Sequence, residues 1–324
     1  MLDPRPAPHT PSAYGGDGWQ LRAATTREEI GRLWAACGID SEWATLRAVV
    51  LHRPGAELAA SADPAAVNML APLDLARAQA QHDGIADAYR RAGVTVYRLD
   101  PDAVPRPNQM FMADLFFMTP EGAILARPAS QARAGEEREA ARRLAALGVP
   151  IVRSVSGRGT FEGADALWLD PRTVILGRGL RTNDAGAAQV AAVLAEMGVA
   201  VVQVDLPYGA MHLMGMLRIV DRDLAVAWPG RFALRGVEAL RERGYRVAFL
   251  PDTREARDGY ALNFVTLGPR RVLMAAGNPT TEAFLGDLGV ACVTTPVDEL
   301  GKAAGAIGCL TGVLHRDPAT PQQE

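Results

Sequence analysis

Val190-Ala-Ala-Val-Leu-Ala-Glu-Met-Gly-Val-Ala-Val201 joins two periodicities through one glycine. Val190, Val193, Leu194 and Met197 recur at i, i+3, i+4 and i+7, which places them on one face of a helix. Gly198 fits the left-handed position just past a helix C-terminus, and Val199-Ala-Val201 opens an apolar strand. The same device recurs as Gly93-Val-Thr-Val, Gly148-Val-Pro-Ile, Gly244-Tyr-Arg-Val and Gly289-Val-Ala-Cys, with successive glycines 55, 50, 46 and 45 residues apart. Ahead of the second of these, Ala140, Leu144 and Leu147 again share a helical face.

Between each Gly-Val strand and the next helix there is room for further strands. Ala123 to Arg127, Ala166 to Leu169 with Thr173 to Leu176, Met216 to Val220 with Leu224 to Ala227, and Phe264 to Leu267 with Val272 to Ala275 have the apolar content for them. The unit reads as ββαβ repeated five times. Because one unit cannot bury its own sheet, the expected fold is α/β: a closed, fivefold pseudosymmetric β/α propeller. The alternative is an open α/β sheet in which G-V-x-V is simply a common way to leave a helix.

The ends differ from the repeats. Thr25 with Glu28, and Thr26 with Glu29, offer capping boxes for a helix running through Cys37. Residues 1–20 are expected to be a disordered N-terminal arm, 21–317 a single catalytic domain and 318–324 a C-terminal tail. With 324 residues, 48% of them hydrophobic, the chain can bury a sizeable core. A net charge of -3 supplies no basic field for nucleic acid or an anionic membrane, so a small molecule is the expected partner. No apolar stretch reaches membrane-span length, and the Pro- and Gly-rich start is unlike a signal peptide, so the cytoplasm is the expected compartment. A homodimer is left open. Three cysteines without C-x-x-C spacing argue against a disulfide framework, and the five histidines form no metal-binding pair, so no metal or cofactor is expected.

In a ring of repeats, loops that follow equivalent strands emerge at the same end. Glu162 and His212 each lie 14 residues after their repeat glycine, Cys309 lies 20 after its own and Asp114 lies 21 after. All four therefore face the same mouth. Two carboxylates can grip a delocalised cation, a histidine can move protons near neutral pH and a thiol can form a covalent adduct. Each also has an ordinary reading, as a core thiol, a structural histidine or solvated loop acids. The glycine-rich Gly301-to-Gly308 run precedes Cys309 rather than opening a helix, so it is read as small residues that admit substrate, not as a phosphate loop. His52, His82 and Cys292 are read as structural.

Around these residues stand Asn108-Gln-Met-Phe-Met-Ala-Asp114, Phe161-Glu-Gly-Ala-Asp165, Gly179-Leu-Arg-Thr-Asn183, His212-Leu-Met-Gly215 and Gly308-Cys-Leu-Thr-Gly312. From about Leu46 to Asp317 the chain resembles the guanidino-group-modifying superfamily of arginine deiminases, dimethylarginine dimethylaminohydrolases and amidinotransferases, whose fold is a fivefold β/α propeller. The resemblance implies Cys309 as nucleophile, His212 as general acid/base and Glu162 as the acid that orients both. It further implies that Asp114 pairs with the guanidinium, that Arg133 and Arg181 hold a substrate carboxylate and that Asn108 makes a further polar contact. Asp165 and Met214 complete the expected substrate-contact set.

Three positions depart from the family pattern. Met214 stands where many members carry an acid after His-Leu, Ala113 where others carry Arg or an acid, and Gly308 where many have His. Loss of the acid at 214 removes one charged hydrogen bond and adds an adaptable apolar wall. The expected activity is hydrolysis at the guanidine carbon of arginine or a substituted guanidino compound through an amidino-thioether. The alternatives are amidino transfer to an amine and a non-catalytic propeller that only binds.

Overall fold

The computed structural model describes residues 20–59, 61, 63–102 and 104–319. All but the last residue of the expected N-terminal arm, and the tail from residue 320, lie outside them. The chain runs through a one-turn helix α1 (Thr26–Glu29), strand β1 (Leu46–Leu51), helix α2 (Leu75–Arg91) and strand β2 (Thr95–Arg98). Then follow β3 (Phe116–Thr119), β4 (Gly122–Leu125), α3 (Glu136–Ala146), β5 (Ile151–Ser154), β6 (Ala166–Asp170), β7 (Thr173–Arg178), α4 (Asp184–Glu196) and β8 (Ala200–Asp205). The second half comprises β9 (Leu217–Asp221), β10 (Leu224–Ala227), α5 (Leu234–Glu242), β11 (Arg246–Phe249), α6 (Thr253–Asp258), β12 (Val265–Gly268), β13 (Arg271–Ala275), α7 (Pro279–Asp287) and β14 (Ala291–Thr295). Two single-turn helices, α8 (Asp298–Gly301) and α9 (Ile307–Leu310), lead into the final strand, β15 (Gly312–Arg316).

Among the described residues these strands form five separate three-stranded sheets, so the open-sheet alternative does not hold. Within β3-β4-β5, β6-β7-β8, β9-β10-β11 and β12-β13-β14 the first pair is antiparallel and the second parallel, with a helix crossing between the last two strands. The fifth sheet takes β15 from one end of the sequence and β1 and β2 from the other, which closes the ring. This is the fivefold β/α propeller of ββαβ units.

The five repeat glycines end α2, α3, α4, α5 and α7 at φ of 81°, 75°, 73°, 80° and 75°, the left-handed region that a residue with Cβ reaches only with strain. The first strand of each internal unit is buried almost throughout, whereas the third strands alternate with exposed positions. The first and second strands are thus buried together, and what immediately precedes the first strand is anchored to that interior. Apolar layers fill the space between sheets and helices, as where Val190 and Leu194 of α4 join Val174 and Leu176 of β7 in one fully buried cluster. Truncating one such leucine to alanine costs about 2–5 kcal/mol.

Three expectations change. The helix through Cys37 ends at Glu29. Thr25 and Glu28 do form a reciprocal capping box, but the Glu29 carboxylate accepts from Arg22 instead of closing a second one. Beyond it the backbone pairs with other units, with the Ala35 amide donating to Gly148 O at 2.9 Å and the Gly38 amide to Leu314 O at 2.8 Å. Tertiary pairing overrides local helix preference here. Strand β3 was not separated from the motif before it, since an unbroken buried run carries no alternation to mark it. The boundary at 317 also moves, because Ala319 is buried and its amide donates to Asp40 Oδ1 at 2.9 Å.

Candidate active site

Each of the five units delivers one polar side chain immediately before its first strand. Asp114 closes a short turn before β3, Glu162 precedes the turn Gly163–Asp165 before β6, and His212 precedes the turn Leu213–Gly215 before β9. Asn263 stands just ahead of β12, and Cys309 lies in α9 ahead of β15. Asn263 was not among the expected residues. Its signal was available, because it lies 19 residues after Gly244, in phase with Asp114 and Cys309.

All five make contacts within the set, as a group of three and a pair. His212 Nε2 stands 2.6 Å from Glu162 Oε2, and His212 Nδ1 stands 3.8 Å from Asp114 Oδ1. Asn263 donates from Nδ2 to Cys309 Sγ at 3.0 Å and accepts the Cys309 amide at 3.1 Å, so one side chain fixes both sulfur and backbone. Glu162 Oε1 also accepts the Ala129 amide at 3.1 Å. Asp114 Oδ1 is buried and has no hydrogen-bond partner.

The charges shape one another. Burial alone would lower the His212 pKa, but the Asp114 carboxylate and the hydrogen bond to Glu162 outweigh it and lift it to about 9. For Glu162, burial acts upward, while the bond to His212 and the charges of His212, Arg133 and Arg181 hold the carboxyl well below its usual range. Burial, then the charge of Asp114, push the Cys309 thiol up, against the Asn263 hydrogen bond and the Arg218 charge. The free site is therefore an imidazolium beside a protonated thiol near neutral pH.

The expected substrate contacts divide. Arg133 is buried and committed to the protein's own acids: Nη1 donates to Asp114 Oδ2 at 2.7 Å, while Nε and Nη2 donate to Glu136 Oε2 at 2.9 and 2.8 Å. It lines the smaller cavity with its guanidinium engaged by these acids. Glu136, unforeseen, has its pKa pushed up to about 7 by burial despite the opposing Arg133 charge. Arg181 is 18% exposed and reaches Glu162 at 3.3 Å. Asp165, fully buried, accepts from Thr182 Oγ1 at 2.6 Å and from the Leu213 amide at 3.0 Å, bracing the loop of Arg181 and the turn after His212. Burial lifts its pKa to about 6. Asn108 donates to Val67 O at 2.6 Å and lines a cavity beside Cys309. Met214 lines a second one.

The two cavities meet at Cys309. The smaller, about 20 Å³, is lined by Asp114, Arg133, Arg181, Asn108 and Phe111. The larger, about 230 Å³, is lined by His212, Asn263, Met214, Trp228 and Tyr260. The glycines before Cys309 do not open onto substrate: a Cβ at Gly305 would meet Phe111, and one at Gly308 would meet Arg218 and Asn263. His82 is fully buried and His52 pairs with Glu57 at 3.0 Å, both away from Cys309. Asp114, Glu162 and His212 offer ligand atoms within 4.8 Å of one another, but the Glu162 and His212 atoms bond each other and Arg133 occupies Asp114. Among the described residues no helix is long and apolar enough to cross a membrane.

A family profile described as arginine deiminase matches residues 101–237, the segment holding Asn108, Asp114, Arg133, Glu162, Arg181 and His212. The chain is 30% identical over 231 residues to the N(G),N(G)-dimethylarginine dimethylaminohydrolase of Streptomyces coelicolor, covering 71% of this chain and 83% of that one. The solved structure of dimethylarginine dimethylaminohydrolase from Pseudomonas aeruginosa with citrulline superposes at a TM-score of 0.69 with 23% identity, over 82% of this chain and 98% of the other. An amidinotransferase of saxitoxin biosynthesis from Microseira wollei superposes at 0.69 with 15% identity, over 89% of this chain and 99% of the other.

Proposed function

The chain belongs to the guanidino-group-modifying superfamily, as an enzyme of amidine hydrolase or amidinotransferase type, and we propose that it hydrolyses a substituted guanidine through a covalent adduct on Cys309. The observation that carries this reading is the buried, unpartnered Oδ1 of Asp114, an anionic acceptor left open beside the thiol and the imidazole. A buried carboxylate oxygen without a donor is costly, and a guanidinium N–H satisfies it. Arg133 already lays a guanidinium against the other oxygen of Asp114, so the local geometry suits that group.

The free thiol is held protonated by burial and by Asp114. A substrate cation docking on Asp114 offsets that charge and favours the thiolate, the thiol proton leaving to solvent and returning when the sulfur is released. Sγ then bonds to the guanidine carbon, whose π electrons move to nitrogen in a tetrahedral adduct. His212, an imidazolium in the free site, gives its proton to the departing nitrogen as the C–N bond breaks. The neutral imidazole next takes a proton from water, whose oxygen bonds to the amidino carbon. The C–S bond breaks, releasing a urea-type product and restoring Cys309. Glu162 keeps the imidazole oriented through both steps and favours its charged form in the free site.

A haloacetamidine tests this reading. The alkylated residue is expected to be Cys309, with labelling lost in a His212→Ala variant at equal dose. Folded protein that stays unlabelled overturns it. A parallel screen of guanidino compounds for released amine, ammonia and urea-type product distinguishes hydrolysis from transfer. The second reading, amidino transfer, is favoured by the larger cavity, which has room for an acceptor amine against Cys309.

A further inference from the structure

The leaving nitrogen must face the group that protonates it. His212 lines only the larger of the two cavities that meet at Cys309, whereas Asp114 lines only the smaller. A guanidine carbon attacked by Sγ, with one nitrogen on Asp114, therefore turns its departing nitrogen and that nitrogen's substituent into the larger cavity. The sizes follow the same division. About 20 Å³ barely exceeds the roughly 10–15 Å³ that a single water-sized group needs, whereas about 230 Å³ is far more than two methyl groups fill.

The lining states what the substituent is. Met211, Met214, Trp228 and Tyr260 supply apolar and aromatic walls, and no Asp or Glu lines the cavity. Two cations do. Arg231 is exposed, stacks over the Trp228 ring at 4.8 Å and has no ion pair among the described residues. Arg257 pairs with Asp258, its sequence neighbour. A positively charged tail would meet two guanidiniums and no counter-charge, while a carboxylate would find planar, forked donors.

We propose that the larger cavity is a leaving-amine subsite selecting a guanidine whose departing nitrogen bears an apolar arm ending in an anionic group, read by Arg231 with Arg257 at the rim. This inference rests on the hydrolase reading and names its substrate class. Met214 in place of an acid fits it, since a carboxylate there would repel the anionic arm.

The test compares turnover of N-methylguanidine, 3-guanidinopropanoate, its carboxamide and N-(3-aminopropyl)guanidine by the wild-type enzyme. The carboxylate is expected to exceed the isosteric carboxamide at least about tenfold in kcat/KM, the size of one lost charged hydrogen bond, with the aminopropyl compound poorest. Arg231→Met is expected to reduce the carboxylate-to-carboxamide ratio to within about threefold, mainly through KM. Arg257→Met, at an equally exposed position, is expected to shift the ratio the same way by less. Equal use of carboxylate, carboxamide and amine, or a ratio that survives both substitutions, overturns the subsite. Haloacetamidine labelling of Cys309 in the same preparation separates the outcomes. Labelled enzyme without carboxylate preference sinks this inference alone, and unlabelled enzyme sinks the hydrolase reading with it.

Discussion

On the mouth side of Cys309 stand Asp114, Glu162 and Glu136 with Arg133, Arg181 and His212. On the axial side stand Asn263 and Arg218, with Arg316 and Glu42 around a cavity of about 40 Å³. The mouth holds three carboxylates, with one oxygen of Asp114 and one of Glu136 left unpartnered. The axis holds two buried guanidiniums, each with one nitrogen unpartnered, against a single carboxylate. The sulfur therefore lies between unpartnered carboxylate oxygens on one side and a surplus of positive charge on the other. A thiol placed this way stays protonated while the mouth is empty and ionises when a cation arrives, with the axial charge ready to favour the anion. Substrate and protein each supply half of the field.

The largest effect comes from removing the mouth's proton carrier. His212→Ala is expected to lower kcat by about 10²–10⁴-fold, measured in steady state with free Cys309 titrated in parallel. Residual turnover above a tenth of wild type would mean that another group protonates the leaving nitrogen.

The same pair makes stability depend on pH. The folded-state pKa of His212, about 9, is raised above its ordinary 6.5, so its contribution is complete below pH 6.5 and lost as pH rises through 9. Glu162 has the opposite sign, its contribution being complete above its ordinary value of 4.5 and lost as pH falls below that. Denaturant unfolding from pH 6 to 10 is expected to show wild type losing about 1–3 kcal/mol more than His212→Gln across that window. Parallel curves for the two proteins would place the pH-sensitive group elsewhere.

The axial half is tested next. Arg218 is buried, donates from Nε to Leu262 O at 2.9 Å and lies over the Phe264 ring at 5.9 Å, so it braces the residues on either side of Asn263. It is a positioning residue and a source of field. Arg218→Met is expected to move the midpoint of Cys309 alkylation to higher pH and to lower kcat about tenfold, leaving KM near wild type. Arg218→Lys, which keeps the charge but not the fork, should restore the midpoint more fully than the rate. An unmoved midpoint in Arg218→Met removes the axial charge from the account.

The mouth was legible in the sequence and the axis was not. Asp114, Glu162, His212 and Cys309 declare themselves because each is polar, chemically versatile and in register with the Gly-Val repeat. Asn263 shares that register, but an uncharged amide in Tyr260-Ala-Leu-Asn263 carries no chemistry of its own until the sulfur is beside it. Arg218 is one basic residue in the apolar run Leu217 to Val220, and only the closed ring shows that this strand faces the nucleophile. Arg133 is legible as a site residue, but the acids it pairs with are not. That Glu136 and Asp114 would capture its guanidinium depends on how α3 begins beside the turn before β3, which no spacing rule reports. Fold and register follow from short-range periodicity, whereas ion pairing follows from contacts between distant loops.

The smallest effect is also the most specific. A Cβ built on Gly308 lies 2.0 Å from Arg218 Nη2 and 2.9 Å from Asn263 Oδ1, so the axial guanidinium fills the space that a side chain ahead of Cys309 would take. Gly308 and Arg218 are therefore one device: a residue larger than glycine at 308 requires that the arginine withdraw. Gly308→Ala alone should displace Arg218 and loosen the Asn263 grip on the sulfur. In an Arg218→Met background the flexible thioether can give way, and the same substitution should be better tolerated. A double-mutant cycle read by denaturant unfolding and by the alkylation midpoint is expected to show coupling of about 0.5–1 kcal/mol, the lower end for residues in contact. Strict additivity would mean that the strain at Gly308 is relieved by backbone movement of α9, leaving the axial charge free to act without the glycine.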